Sequence, residues 1–347
     1  MAWTKLAYQR QEVNAAGRCL IAEASTQAQI DHALQVVNNW RASHAFPLNT
    51  FQVSLRRNAR QTERYPVIAQ RIKRLPAIDL KLRLIPTLNL TQMQDIGGCR
   101  AILGSVPAVS RLVRLYERSQ MKHELVHKDD YIKEPRDSGY RGVHLIYRYY
   151  SDRSKDYNGL KIEMQIRTRL QHAWATAVET VSTFKQQALK SGLGDEQWLR
   201  FFALMGSFLA ERERRPFVPG TPSNRAALVR EIKTYVNELN VIGALMNYRL
   251  LLDNVPLGTF EDMPYFLMLL DPKDGRLRIM PYQRREAEAA SREYLASERQ
   301  ARFDFAVDRD AVLVSVDSMK TLRTAYPNYF ADTRRFVREV QRAVSIS

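Results

Sequence analysis

Two periodicities divide this chain. Over its first hundred residues, apolar positions recur mainly at helical spacing. Ile30, Ala33, Leu34, Val37 and Trp40 share one face of Gln27–Ser43, which predicts a helix with Thr26 as N-cap and Pro47 blocking its continuation. A second helix is predicted over Leu48–Arg60, burying Phe51 and Leu55 and leaving Arg56, Arg57 and Arg60 on other faces. From about residue 95 the pattern turns to short strands alternating with helices. Cys99–Leu103, His123–Ile132, Val143–Tyr150 and Leu160–Arg167 read as strands. Pro107–Lys122 reads as a helix, as does the stretch with Leu170, Trp174, Ala177, Val181 and Phe184 inward. The expected class is α+β, a mixed β-sheet flanked by helices.

Beyond Lys190 the punctuation suggests further units. Ser191–Glu196 is a candidate linker, Glu196–Arg212 an apolar helix, and the Pro/Gly run from Pro216 to Asn224 a break. Ala226–Asp253 reads as one helical stretch. Phe266–Leu270 and Arg276–Met280 flank a predicted turn at Asp271–Gly275. A charged helix (Gln283–Gln300), a strand pair around Phe303–Val316 and a final helix (Asp332–Val344) complete the chain. The expected division is 1–195, a helical connector 196–260, and a C-terminal unit 261–347.

Charge narrows the function. The formal net charge is +16, which attracts polyanions such as nucleotides or RNA, or serves solubility alone. Basic residues gather at Arg56, Arg57, Arg60 and Arg64, then at Arg71, Lys73, Arg74, Lys81 and Arg83, as a solvated face or a phosphate-facing wall. Cys19 and Cys99 have no CxxC partners, so cysteine builds no zinc site of the usual kind, and the usage fits a reducing cytosol. No apolar run reaches the roughly 18 residues of a membrane span, and a cytoplasmic location is expected.

Three polar stretches carry candidate chemistry. In Gly159–Thr168, Leu160, Ile162, Met164 and Ile166 alternate with Lys161, Glu163, Gln165 and Arg167, so one strand face presents a carboxylate, an amide and a guanidinium in a row. Such a row is either a solvated face or a seat for a metal and a phosphate. Asp95 precedes a glycine pair in Asp-Ile-Gly-Gly-Cys-Arg100, and Asp95 with Glu163 would suit Mg²⁺, which takes one or two carboxylates plus substrate phosphates. The loop Asp130–His144 sets Tyr140 between flexible positions, with Arg136 and Arg141 beside it, as a base-stacking element or a plain surface hairpin.

Together and in this order, DIGGCR, DYIKEPRDSGYRGVH, EMQIRT and the following HAWA helix resemble the RelA/SpoT synthetase domain over roughly residues 45–190. The resemblance implies a pyrophosphokinase that moves pyrophosphate from ATP to an acceptor hydroxyl, with Asp95 and Glu163 catalytic and holding Mg²⁺. It implies ATP contacts from Arg71, Lys73, Lys81 and Arg100. It implies an acceptor side lined by Tyr140, Arg136, His144, Gln165 and Arg167. Arg136 stands where a lysine is common, and Gly142 where a serine is usual. With so short a stretch before the domain, the resemblance implies synthesis without a hydrolase.

The layout also resembles the fused toxin–antitoxin subgroup of small alarmone synthetases. That likeness implies a C-terminal zinc-finger-like domain without metal, whose Tyr326 and Tyr329 close the ATP site until a phage capsid protein releases them. It further implies tRNA as acceptor. The alternatives are a (p)ppGpp synthetase acting on GDP or GTP, and a non-catalytic RNA-binding module.

Overall fold

In a computed structural model, residues 3–185, 195–251, 263–271, 274, 276–303, 310–316 and 319–346 are described. Local signals place the first helices, α1 (Arg10–Ile21), α2 (Gln27–Ser43) and α3 (Ala45–Thr62). The Thr26 hydroxyl accepts from the Gln29 amide, and the Gln29 side chain accepts from the Thr26 amide at 2.8 Å, a reciprocal cap. α2 ends at Ser43 as expected, four residues before Pro47. That proline sits in the first turn of α3, where its missing N–H leaves no bond unmade.

The helical reading fails at β1 (Val67–Ile72), a strand inserted before α4 (Leu75–Leu84). The alternating unit then follows: β2 (Gly97–Leu103), α5 (Val106–Glu117), β3 (Glu124–Asp130), β4 (Val143–Arg148), β5 (Lys161–Thr168) and α6 (Arg169–Phe184). Next come α7 (Glu196–Glu213), α8 (Arg225–Glu238) and α9 (Val241–Leu251). Asn240, at φ +44°, splits the single helical stretch expected there, since asparagine tolerates the left-handed region. The C-terminal part adds β6 (Tyr265–Asp271), β7 (Arg276–Tyr282), α10 (Ala287–Phe303), β8 (Asp310–Ser315), α11 (Met319–Ala325), a 3-10 turn (Pro327–Phe330) and α12 (Arg334–Val344). Of the strand pair expected around Phe303–Val316, β8 is described. Most of the predicted hairpin turn, linker residues 191–194 and connector residues 252–260 lie outside the described residues.

All eight described strands join one sheet, in the order β3-β4-β5-β2-β1-β8-β6-β7. Among the described strands only the β2–β5 pair is parallel. The strands of the C-terminal unit thus extend the sheet of the first unit. The junction is the β1–β8 pairing of Gln70 with Ser315 and Arg71 with Val314.

One core cluster joins Phe51, Leu55, Leu112, Leu145, Ile162, Met164 and Ile166 beneath α3 and α5. A second gathers Trp174, Phe201, Phe202, Leu228, Ile232, Phe336 and Val340 from α6, α7, α8 and α12. In α12, Phe336, Val337, Val340 and Ala343 face inward, and a buried Phe or Val contributes roughly 1.5–3 kcal/mol. That anchorage fixes the arginine-bearing face of the same helix. The loop after β3 packs directly on α7. Gly139 has φ +92°, a Cβ there would lie 2.8 Å from the Phe202 carbonyl oxygen, and one on Gly206 would lie 2.8 Å from Gly139 Cα. Among the described residues no helix is long and apolar enough to cross a membrane.

Candidate functional site

The parallel β2–β5 register sets Gly98 opposite Glu163, Arg100 opposite Gln165 and Ile102 opposite Arg167. On the other side of β2, Arg71 lies opposite Gly98 and Ala69 opposite Arg100, and across β5 His144 lies opposite Gln165. Since side chains alternate along a strand, Glu163, Gln165, Arg167, Arg100, Arg71 and His144 share one sheet face. Asp95 enters this face just before β2. The chain can pass close there because residue 97 is glycine: a Cβ on Gly97 would lie 2.7 Å from Ile162 Cδ1.

These residues enclose a cavity of about 50 Å³ lined by Ala69, Gln70, Arg71, Lys73, Asp95, Gly98, Cys99, Arg100, Glu163, Gln165 and Tyr326. Asp95 accepts from Lys73 Nζ at 2.7 Å and from Lys81 Nζ at 3.1 Å. Burial disfavours the Asp95 charge, but the two ammonium groups override it and hold the carboxyl well below its usual range. Burial in turn pushes the Lys73 ammonium down. Glu163 Oε1 lies 2.9 Å from His144 Nδ1, and Oε2 accepts from Gln165 Nε2 at 2.7 Å. Burial opposes ionisation of Glu163 and Asp95 repels it, yet His144 pulls its carboxyl down.

Behind Glu163 runs a relay. His144 Nε2 is 2.7 Å from the Tyr140 hydroxyl. Burial works against charge on His144, but Tyr140 and Glu163 outweigh it and push the imidazole up to about 9. It is therefore an imidazolium at neutral pH, donating to both neighbours. Tyr140 does not stand out from its loop as the sequence suggested. Its ring is buried, edge-on to Tyr131, His144 and Trp174, because Gly139 draws the loop onto α7. Arg136 is not part of the cluster. It is exposed and stacks on Tyr131, its guanidinium 4.3 Å from the ring centre.

Arg100 and Arg167 are held close together. Burial and the charges of Arg167 and Arg71 lower Arg100 to about 10, with Tyr326 as a counterweight. Arg167 donates through Nη2 to His172 Nδ1 at 2.7 Å, while His172 Nε2 faces the Thr324 carbonyl at 3.0 Å. Burial and the two arginines keep His172 neutral, with its proton on Nε2. Counting His144, six cations (Arg71, Lys73, Lys81, Arg100, His144, Arg167) face three carboxylates, Asp95, Glu163 and Glu179. That surplus suits a polyphosphate.

Two carboxylates on one cavity fit Mg²⁺ as donors, because substrate phosphates and water normally complete its octahedron. Among the described residues no group of three or more His, Cys, Asp or Glu is placed to hold a metal unaided.

Sequence reasoning brought Asp95, Glu163, Arg71, Lys73, Lys81, Arg100, His144, Gln165 and Arg167 to this region. It passed over Gln70, His172 and Glu179. The signal for the last two was available, since 172, 176 and 179 fall on one helical face. The Tyr-x-x-Tyr pair lies here too. The Tyr326 hydroxyl donates to the Gln70 carbonyl at 2.7 Å, and the Arg100 guanidinium lies 5.3 Å from the Tyr326 ring centre. Arg100 Nη2 also donates to the Ala325 carbonyl at 2.8 Å. Tyr329 accepts from Arg74 Nη1 at 3.0 Å.

Residues 70–188 match the family described as the region found in RelA/SpoT proteins. Over 111 residues, 31% of this chain, the sequence is 32% identical to the GTP pyrophosphokinase YjbM of Bacillus subtilis. That match spans 52% of the relative, about half its length. Small alarmone synthetase 1 of Bacillus subtilis, solved with its product pppGpp, is 22% identical, with 50% of this chain and 93% of that chain covered and a TM-score of 0.42. A GTP pyrophosphokinase family protein from Streptococcus pneumoniae is 23% identical, with 49% and 86% covered and a TM-score of 0.40.

Proposed function

From the match of residues 70–188 to the region found in RelA/SpoT proteins, we propose an ATP-dependent pyrophosphokinase whose ATP site is closed at rest by its own C-terminal segment. One observation carries the reading: Asp95 and Glu163, 68 positions apart in the chain, line a single small cavity with Arg71, Lys73 and Arg100, and Tyr326 lines it with them.

In the proposed reaction an acceptor hydroxyl oxygen bonds to the β-phosphorus of ATP, the bond from that phosphorus to the bridging α,β oxygen breaks, and AMP leaves. Arg71, Lys73, Lys81 and Arg100 bind the phosphate chain and offset charge developing on AMP. Asp95 and Glu163 would hold Mg²⁺, which when bound would neutralise charge on the transferred group. Glu163 accepts or relays the hydroxyl proton. Held low by His144 it is a weak base, which suffices where the transition state is loose and the proton leaves late. Tyr140 and His144 fix the Glu163 carboxylate, and Gln165 and Arg167 flank the acceptor side.

Autoinhibition is supported by volume. About 50 Å³ is far below the roughly 300 Å³ of the smallest ligand pockets, so a nucleotide enters only after Tyr326 withdraws. We propose tRNA as acceptor, in keeping with the net charge of +16, and a phage capsid protein as the releasing partner. A second reading, with GDP or GTP as acceptor, is favoured by the name of the YjbM relative, a GTP pyrophosphokinase. Incubation with β-labelled ATP and either tRNA or GDP separates them. Label on tRNA supports the first reading and label on the guanine nucleotide the second. Label on neither, with RNA retained, leaves an RNA-binding module.

A further inference from the structure

The α11 segment and its 3-10 turn divide the functional face of the sheet into two compartments. Tyr326 lines the small one, and Arg323, Thr324 and Pro327 line a second, larger cavity of about 690 Å³. Its floor is apolar, including Val67, Ile102, Ala173 and Val337, and its wall carries Arg169, Arg323, Arg334, Arg335 and Arg338. The register places Val67, Ile102 and Arg167 in one row across the sheet. Arg167 lies four strand residues from Glu163, about 13 Å along the strand.

The balance of charge in this cavity is one-sided. Asp332 is engaged by Arg334 and Glu63 by Arg169. Arg335 and Arg338 form no ion pair with a described carboxylate, and burial together with the charges of Arg169, Arg338 and Arg212 pushes the Arg335 guanidinium down against the attraction of Glu339. The cationic wall is also rigid, because α12 is seated in the core through Phe336, Val337 and Val340. Along α12 the arginine row continues past the cavity to Arg342, which reaches Glu339.

We propose that the α6–α12 cavity is a binding site for the phosphate backbone of single-stranded RNA, on the same sheet face as the Asp95–Glu163 cavity. The apolar floor accepts a base while the arginines take successive phosphates. RNA is favoured over a free nucleotide because the arginine row runs along α12 past the cavity to Arg342. The assignment of RNA as the acceptor rests on the function proposed above, but the binding site does not need the transfer reaction.

The test uses the full chain without ATP. A fluorescein-labelled single-stranded RNA oligonucleotide is titrated by anisotropy between 50 and 300 mM salt, with Arg335→Glu/Arg338→Glu, the charge-preserving Arg335→Lys/Arg338→Lys, and a distant control, Arg276→Glu on β7. Losing two phosphate contacts should weaken binding at least roughly tenfold and reduce the slope of log affinity against log salt by about 1.4. The lysine pair and Arg276→Glu should keep the parent slope. The binding assay contains no ATP, so a failed transfer reaction leaves this result standing. Parent-like affinity and slope in a folded Arg335→Glu/Arg338→Glu protein would overturn the proposal. So would loss of GTP binding, measured by equilibrium dialysis, without loss of RNA binding.

Discussion

Arg41 of α2 and Glu298 of α10, 257 positions apart, meet as a buried two-pronged ion pair: Nη1 to Oε2 at 2.7 Å and Nη2 to Oε1 at 3.1 Å. The Tyr294 hydroxyl bridges both residues, Arg41 Nε donates to the Lys73 carbonyl at 2.9 Å, and Glu298 Oε1 accepts from the Leu75 amide at 2.8 Å. The pair therefore ties the C-terminal α10 to the backbone on both sides of Arg74, next to a lysine of the candidate site. Desolvation offsets much of the attraction in such a pair, but removing one partner strands a buried charge. Glu298→Ala should lower unfolding stability by about 3–5 kcal/mol in urea titrations. Replacing both, Arg41→Met/Glu298→Leu, should recover most of that loss.

The His144–Glu163 contact makes stability depend on pH. His144 is raised from 6.5 to about 9. A raised group stabilises the fold fully below its unfolded value and loses that contribution as pH climbs through its folded value. The decline should therefore fall between pH 6.5 and 9 and amount to roughly 3 kcal/mol at most. Urea midpoints across this window should drop more steeply for the parent than for His144→Gln. Equal slopes would mean that His144 is not charged in the folded protein.

For the chemical step, Glu163→Gln keeps the shape of the side chain and an oxygen for His144 but removes the charge. We expect transfer from β-labelled ATP to fall by 10²-fold or more, with the fold intact by circular dichroism. Asp95→Asn should do the same, leaving Lys73 and Lys81 without their shared carboxylate. Turnover retained in Glu163→Gln would remove this residue from the reaction.

Much of this site was legible because β5 is a clean alternation: four apolar residues turn to the core and Lys161, Glu163, Gln165 and Arg167 stay together on the other face. β1 was not legible for the same physical reason in reverse. Val67–Ile72 spends Gln70 and Arg71 on the site and on its junction with β8, so its polar positions break the period. The continuity of the sheet was hidden too, since nothing local announces that Arg71 will pair with Val314. Asn240 did carry a signal, a residue tolerant of positive φ in mid-helix. The burial of Tyr140 followed from a close approach of Gly139 and Gly206, which lie far apart in the chain.

The last prediction concerns Tyr326. Its hydroxyl bonds the Gln70 carbonyl, its ring stacks with Arg100, and Tyr329 reaches Arg74, so the segment is held by β1, β2 and the turn into α4, the elements that carry the proposed ATP contacts. Any ATP bound there must compete with these contacts, and the apparent affinity is reduced by the fraction of molecules in which the segment has withdrawn. Tyr326→Ala/Tyr329→Ala should raise ATP-dependent transfer without a trigger at least roughly tenfold, and raise toxicity on expression. Because truncating two buried rings can cost about 3–5 kcal/mol each, Tyr326→Phe serves as the gentler variant. It keeps the ring and loses only the Gln70 bond, worth about 0.5–1.5 kcal/mol, so its rate should rise by roughly two- to tenfold. Parent-like rates in both variants, each folded by urea titration, would show that these tyrosines do not gate the site.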